Sequence, residues 1–118
     1  MTKNPAQLYL RFLMLQREID AAININPTLG ANEMQLLGQI AVSEYAGERL
    51  TVMDVMEMKD LGSPATLHRR LALLRKHGLV LVEGKQDDMR VKYLHLSTAA
   101  KNYFALLDEA IKQAANAN

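Results

Sequence analysis

The sequence contains no cysteine, which excludes disulfides, thiolate catalysis, thiol-based redox sensing and cysteine zinc sites together. It has no apolar run of the roughly 18–20 residues that a helix needs to cross a bilayer. The longest N-terminal apolar stretch, Leu8–Leu15, is broken by Arg11 and followed by Arg17, Glu18 and Asp20, which does not fit a signal peptide. There is no glycine-rich phosphate loop, no nucleophile elbow and no pair of carboxylates at a catalytic spacing. The three histidines, His68, His77 and His95, never stand four apart, so no metal set is expected. Together these absences predict a protein that is not an enzyme, uses no cofactor and works in a reducing compartment such as the cytoplasm.

What is present is a chain of 118 residues, 49% hydrophobic and 23% charged. That is the size of one domain, with enough apolar content to build a core. The net charge of +1 is unevenly spread. Between Ser63 and Leu96 seven Arg and Lys side chains face three acids, and the remainder carries seven basic against ten acidic. All three histidines fall in the basic part. A basic patch on a near-neutral chain is the electrostatic footprint of an anionic partner, although a solvated charged face would look the same from composition.

Periodicity orders the chain. Asn4-Pro5 pairs a capping side chain with a proline suited to the first helical turn. Leu8, Phe12, Leu15, Ile19 and Ile23 follow at helical spacing, predicting a long amphipathic helix that ends near Asn26-Pro27. Asn32 is expected to cap a second helix with Met34, Leu37, Ile40 and Ala41 inward, stopped by Ala46-Gly47. Thr51 with Asp54 three residues on resembles a capping box for a short third helix. Lys59–Gly62 is a turn, and Ser63-Pro64 starts a fourth helix that runs to about His77, where Gly78 ends it. Leu79–Glu83 and Arg90–Leu96 read as strands around a polar hairpin loop, Gly84–Met89. Ser97 caps a last helix with Tyr103, Phe104, Leu107, Ile111 and Ala114 on one side, and Ala115–Asn118 is expected to fray. Helix-turn-helix followed by a β-hairpin is the winged-helix arrangement.

On a helical wheel the fourth helix separates Leu67, Leu71 and Leu74 from Ala65, Arg69, Ala72 and Lys76, with Thr66 and His68 on the flanks. Small residues let such a face sink toward a groove floor, and Arg69 can reach a base edge. Ser63 at the helix start is suited to a phosphate. No acid occurs between Gly62 and Val82. The hairpin loop carries Lys85, Asp88 and Arg90, and Asp88 is placed to orient Arg90 toward a minor groove.

Leu50-Thr51-Val52 with the short helix after it, the block Ser63–Leu71 through Leu74–Val80, and Asp88-Met89-Arg90 leading into a strand and Ser97 resemble the MarR family of transcription regulators over residues 30–110. The resemblance implies a homodimer joined by the first and last helices, a recognition helix in the major groove and a wing in the minor groove. It places Ser63, Ala65, Thr66, His68 and Arg69 at DNA-facing positions and Asp88 and Arg90 in the wing. Arg70, Lys76 and Lys85 join the candidate set on charge. The chain departs from the family pattern at His68, where a small hydroxyl residue is usual, and at Thr98-Ala99-Ala100, where Pro-Glu-Gly often stands.

The expected fold is mainly α with a small β-hairpin wing. It is organised as one winged-helix domain over 1–118, with helix-turn-helix and wing at 51–97 and dimerisation helices at 5–26 and 98–115. The expected function is sequence-specific binding of double-stranded DNA as a dimeric regulator, with any small-molecule effector unidentified and no membrane partner. Two alternatives stay open: a winged helix used to bind protein, and a DNA-binding factor of plasmid or phage replication.

Overall fold

The computed structural model describes residues 6–23 and 29–116. Among them, helix α1 spans Gln7–Ile23, α2 Ala31–Tyr45, α3 Val52–Met56, α4 Pro64–Lys76 and α5 Thr98–Asn116, with a 3-10 turn at Lys59–Leu61 between α3 and α4. Strands β1, Val80–Lys85, and β2, Asp88–Leu96, form an antiparallel pair. This is the expected mainly helical fold with a hairpin wing. The expected helix signals Asn4-Pro5 and Asn26-Pro27 lie outside the described residues.

The chain divides into two compact units, one of Met1–Ile25 with Lys101–Asn118 and one of Asn26–Ala100. The second unit holds the helix-turn-helix and the hairpin. Its core is aliphatic: Leu37 of α2, Val55 of α3 and Leu67 and Leu74 of α4 have no accessible surface, and Val80 and Leu94 from the two strands are almost as deeply buried. Removing one such leucine side chain costs about 2–5 kcal/mol in a packed core, so the interior that fixes α4 is unforgiving.

Local chemistry sets the element ends. Thr51 Oγ1 accepts from the Asp54 amide at 3.1 Å and Asp54 Oδ2 accepts from the Thr51 amide at 2.9 Å, completing the capping box. Ser97 Oγ accepts from the Ala100 amide at 3.1 Å at the start of α5. Gly78, with φ of 70°, terminates α4. Helix α2 starts differently from expectation: Gly30 is its N-cap, and its amide donates to Glu33 Oε2 at 3.2 Å. Asn32 therefore lies inside the helix, because the Glu33 carboxylate supplies the cap instead. The buried stripe of α2 includes Leu36, whereas Met34 and Ala41 are half-buried.

The hairpin is longer than the polar pattern suggests. Pairing runs from Val80↔Leu96 to Gly84↔Lys92 and Lys85↔Asp88, with a register shift between Gly84 and Lys85. Only Gln86 and Asp87 form the turn. Backbone pairing with β2 carries the polar residues into strand, so Lys85, Asp88 and Arg90 stand on strands and not in a loop. On its other edge β2 meets the segment before α3, through a Thr51↔Tyr93 bridge and a Leu94 amide donating to the Leu50 carbonyl at 2.8 Å.

In the first unit, α1 has no buried residue although it is rich in apolar side chains. Tyr9 is 61% and Met14 66% exposed. A trough of about 340 Å³ runs between Leu15, Ile19 and Ala22 of α1 and Leu106 and Ala110 of α5. On α5, Tyr103, Ala110 and Ala114 are buried, whereas Ile111, expected inward, is exposed. Ala115 and Asn116 continue the helix where fraying was expected.

The Tyr103 hydroxyl donates to Asp20 Oδ1 at 2.8 Å. Burial, followed by this bond to a carboxylate, pushes its pKa up from the ordinary value near 10 to about 12. A group whose folded pKa is raised contributes stability that is complete below the unfolded pKa and disappears as pH rises through the folded value. Stability is therefore expected to fall between pH 10 and about 12. Denaturant titrations of Tyr103→Phe across this range should show a flatter pH dependence than the parent protein.

Candidate nucleic-acid interface

The chain reverses at Gly62, whose φ of 145° disfavours any residue with a Cβ. A side chain there would also press within 3.2 Å of Thr66. Ser63 follows as N-cap of α4, accepting from the Thr66 amide at 3.2 Å, and Pro64 occupies the first helical turn. The Ser63 hydroxyl also donates to Thr66 Oγ1 at 3.0 Å, which pre-sets two polar side chains at the helix start. Arg70 is half-buried, and its guanidinium donates to the Leu61 carbonyl. It thus ties α4 to the preceding turn and fixes the angle between the two helices of the motif.

With Leu67, Leu71 and Leu74 buried, the opposite side of α4 exposes Ala65, Arg69, Ala72 and Lys76, and His68 and Arg75 are exposed on its flank. Among the described residues, Arg69, Arg75 and Lys76 form no ion pair, whereas Lys85, Arg90 and Lys112 each meet a carboxylate. An exposed run of cations without acids is costly in self-repulsion, and that cost falls when a polyanion neutralises it.

The hairpin contributes a different device. Asp88 Oδ1 accepts from Arg90 Nε at 3.0 Å and from the Arg90 amide at 3.1 Å, while Oδ2 accepts from Nη2 at 3.2 Å. The Arg90 side chain remains 92% exposed. The bonds from Arg90, with a smaller contribution from Lys85, hold the Asp88 carboxyl below the usual carboxylate range. Two parallel bonds give the guanidinium a fixed direction that a free arginine lacks. Lys85 lies 3.8 Å from Asp87 across the turn. The α4 face and the hairpin both belong to the second unit, so the structure brings the two sets of candidate residues together on one body.

At the base of the hairpin stands a cluster that sequence spacing did not reveal. His95 Nε2 lies 2.8 Å from Glu83 and Nδ1 3.9 Å from Glu44. Arg49 contacts His95, lies 3.7 Å from Glu83 and stacks 4.7 Å above the Tyr93 ring. These groups cross-link α2, the segment before α3 and both strands, and so brace the wing. Among the described residues no group of three His, Asp or Glu could hold a metal ion, and no helix is long and apolar enough to cross a membrane.

No protein-family model matches the chain, and no curated protein does. Solved structures do. The heme sensor protein PefR from Streptococcus agalactiae, in complex with heme, is 19% identical with a TM-score of 0.59, covering 95% of this chain and 76% of its own. MepR from S. aureus in a DNA complex is 16% identical with a TM-score of 0.60, over 90% and 73% of the two chains. A point mutant of MarR from E. coli, complexed with operator DNA, is 17% identical with a TM-score of 0.57, over 90% and 69%. The chain therefore has the winged-helix fold of MarR and MepR, the fold that the sequence resemblance implied.

Proposed function

We propose that the chain is a MarR-type regulator that binds double-stranded DNA as a homodimer in the cytoplasm, acting by binding and not by catalysis. The observation that carries this reading is the acid-free outer face of α4, with Arg69, Arg75 and Lys76 making no ion pair among the described residues, on the same unit as an Arg90 oriented by Asp88. Two of the similar structures, MepR and MarR, are DNA complexes, which supports the same use of this fold here. In this reading α4 enters the major groove and the hairpin tip reaches the adjacent minor groove. Ala65 and Ala72 let α4 approach closely, and Arg69, with Thr66 and His68 beside it, meets base edges. Ser63 and Lys85 contact phosphates, and Arg90 enters the minor groove. Arg70 acts by holding the helix against the turn.

The dimer rests on the first unit. Leu8, Tyr9, Leu10 and Met14 of α1 are exposed, and exposed apolar surface of that extent usually marks an interface. A two-fold dimer would present two α4 helices to successive major grooves about 34 Å apart. Selection of bound duplexes from a random pool tests the proposal: enrichment of a short pseudo-palindrome is expected, and recovery of an unenriched pool would count against sequence-specific regulation.

A further inference from the structure

A cleft of about 500 Å³ separates the C-terminal half of α4 from β1, lined by Ala72, Arg75 and Lys76 on the helix and Val80, Leu81 and Val82 on the strand. We infer that this cleft is a seat for one phosphodiester strand of DNA, held by Arg75, Lys76 and the open backbone edge of β1. The inference rests on the DNA-binding reading given above.

The major and minor grooves of a duplex are separated by a single sugar-phosphate strand. A body that puts α4 into one groove and the β1–β2 tip into the next must accommodate that strand between them. The cleft lies on that body, between the C-terminal half of α4 and the first residues of β1.

The Ser97 amide donates to the Leu79 carbonyl at 3.0 Å, and the Leu94 amide is turned away from β1 to the Leu50 carbonyl. Antiparallel ladders alternate residue by residue between groups that face the partner strand and groups that face away. With Val82 opposite Leu94, the Val82 amide points away from β2, on the open edge of β1, whereas Val80 is buried and offers no donor to solvent. Backbone amides are among the common phosphate donors in protein–DNA interfaces.

Arg75 and Lys76 are exposed and make no ion pair among the described residues, and no acid lines the cleft. Leu81 is 54% exposed beside them, an apolar surface suited to a deoxyribose and of no use to free water. Cations near a helix C-terminus also complement the helix dipole, but that role requires neither the open strand edge nor the exposed leucine.

The inference is tested by measuring binding of a 30-base-pair mixed-sequence duplex over a salt series. Arg75→Gln and Lys76→Gln should each reduce the slope of log affinity against log salt by roughly 0.9 per protomer, and the double variant by about twice that. Leu81→Asp should weaken binding without reducing the parent's melting temperature. Lys112→Gln on α5 should leave the slope unchanged. Unaltered slopes in the Arg75 and Lys76 variants, with the parent still binding, overturn the seat while leaving the DNA-binding reading intact. Absence of duplex binding by the parent overturns both. If the slopes are unaltered but poly-glutamate binding is lost in the same variants, the cleft takes an acidic peptide and the inference fails.

Discussion

Leu10→Glu combined with Met14→Glu is expected to convert the proposed dimer to a monomer and to lower its affinity for a selected palindromic duplex by about 10²–10⁴-fold, the gain that linking two binding modules normally provides. The two residues stand four apart on α1, so both side chains lie on one face of the helix. Leu10 is 43% exposed and Met14 is more exposed still. In a dimer that covers this face, each glutamate would be left without water and without a partner, at a cost of several kcal/mol. In the isolated protomer both carboxylates stay solvated, because α1 buries none of its residues. The variant should therefore remain folded by circular dichroism and sediment at half the parent's mass. A variant that still sediments as a dimer would remove the Leu10–Met14 face of α1 from the interface.

The second large effect is expected at Arg69. Arg69→Ala should reduce the preference for a selected site over mixed-sequence DNA by about 1–3 kcal/mol per half-site, the range for a bidentate arginine–guanine contact. Arg69 has the prerequisites on α4: exposure, no ion pair among the described residues, and small neighbours at Ala65 and Ala72. Nothing has to be broken before it meets a base. Arg90 behaves differently. Its guanidinium is already held by Asp88, and minor-groove readout is nearly degenerate. Arg90→Ala should weaken selected and mixed-sequence duplexes by similar factors. Competition titrations with both duplexes separate the two patterns. A uniform loss for Arg69→Ala would mean that it contacts phosphate only.

The parts of this molecule that sequence made legible are those governed by local chemistry. Thr51 and Asp54, Ser63 and Pro64, and Ser97 announced three helix starts because caps act within three residues. The leucine stripe of α4 was legible because one face of one helix carries it. Asp88 and Arg90 were legible as a pair because they stand two apart.

What escaped was set by tertiary context or by competing local partners. Glu33 replaced Asn32 as the source of the α2 cap, since a carboxylate three residues in can reach back to the glycine amide. Gly84 and Lys85 joined β1 because ladder bonds to β2 outweighed their polarity. Ala110 and not Ile111 is buried on α5, a shift of about 100° that helical periodicity alone resolves poorly. The bond between Tyr103 and Asp20 spans 83 positions and the Arg49–His95 contact spans 46. No local pattern announces such pairs. The functional consequence of α4 running into β1, a cleft with two cations beside an open strand edge, likewise exists only in three dimensions.

The central claim is that this fold binds double-stranded DNA through the α4 face and the hairpin. Fluorescence anisotropy of a labelled duplex, titrated with purified protein across a salt series, tests it most directly. Saturable binding is expected at low salt, with a logarithmic slope of about −5 or steeper from counterions released at several phosphate contacts per protomer. An anisotropy that stays flat at the lowest salt, with the protein folded by circular dichroism, would contradict it.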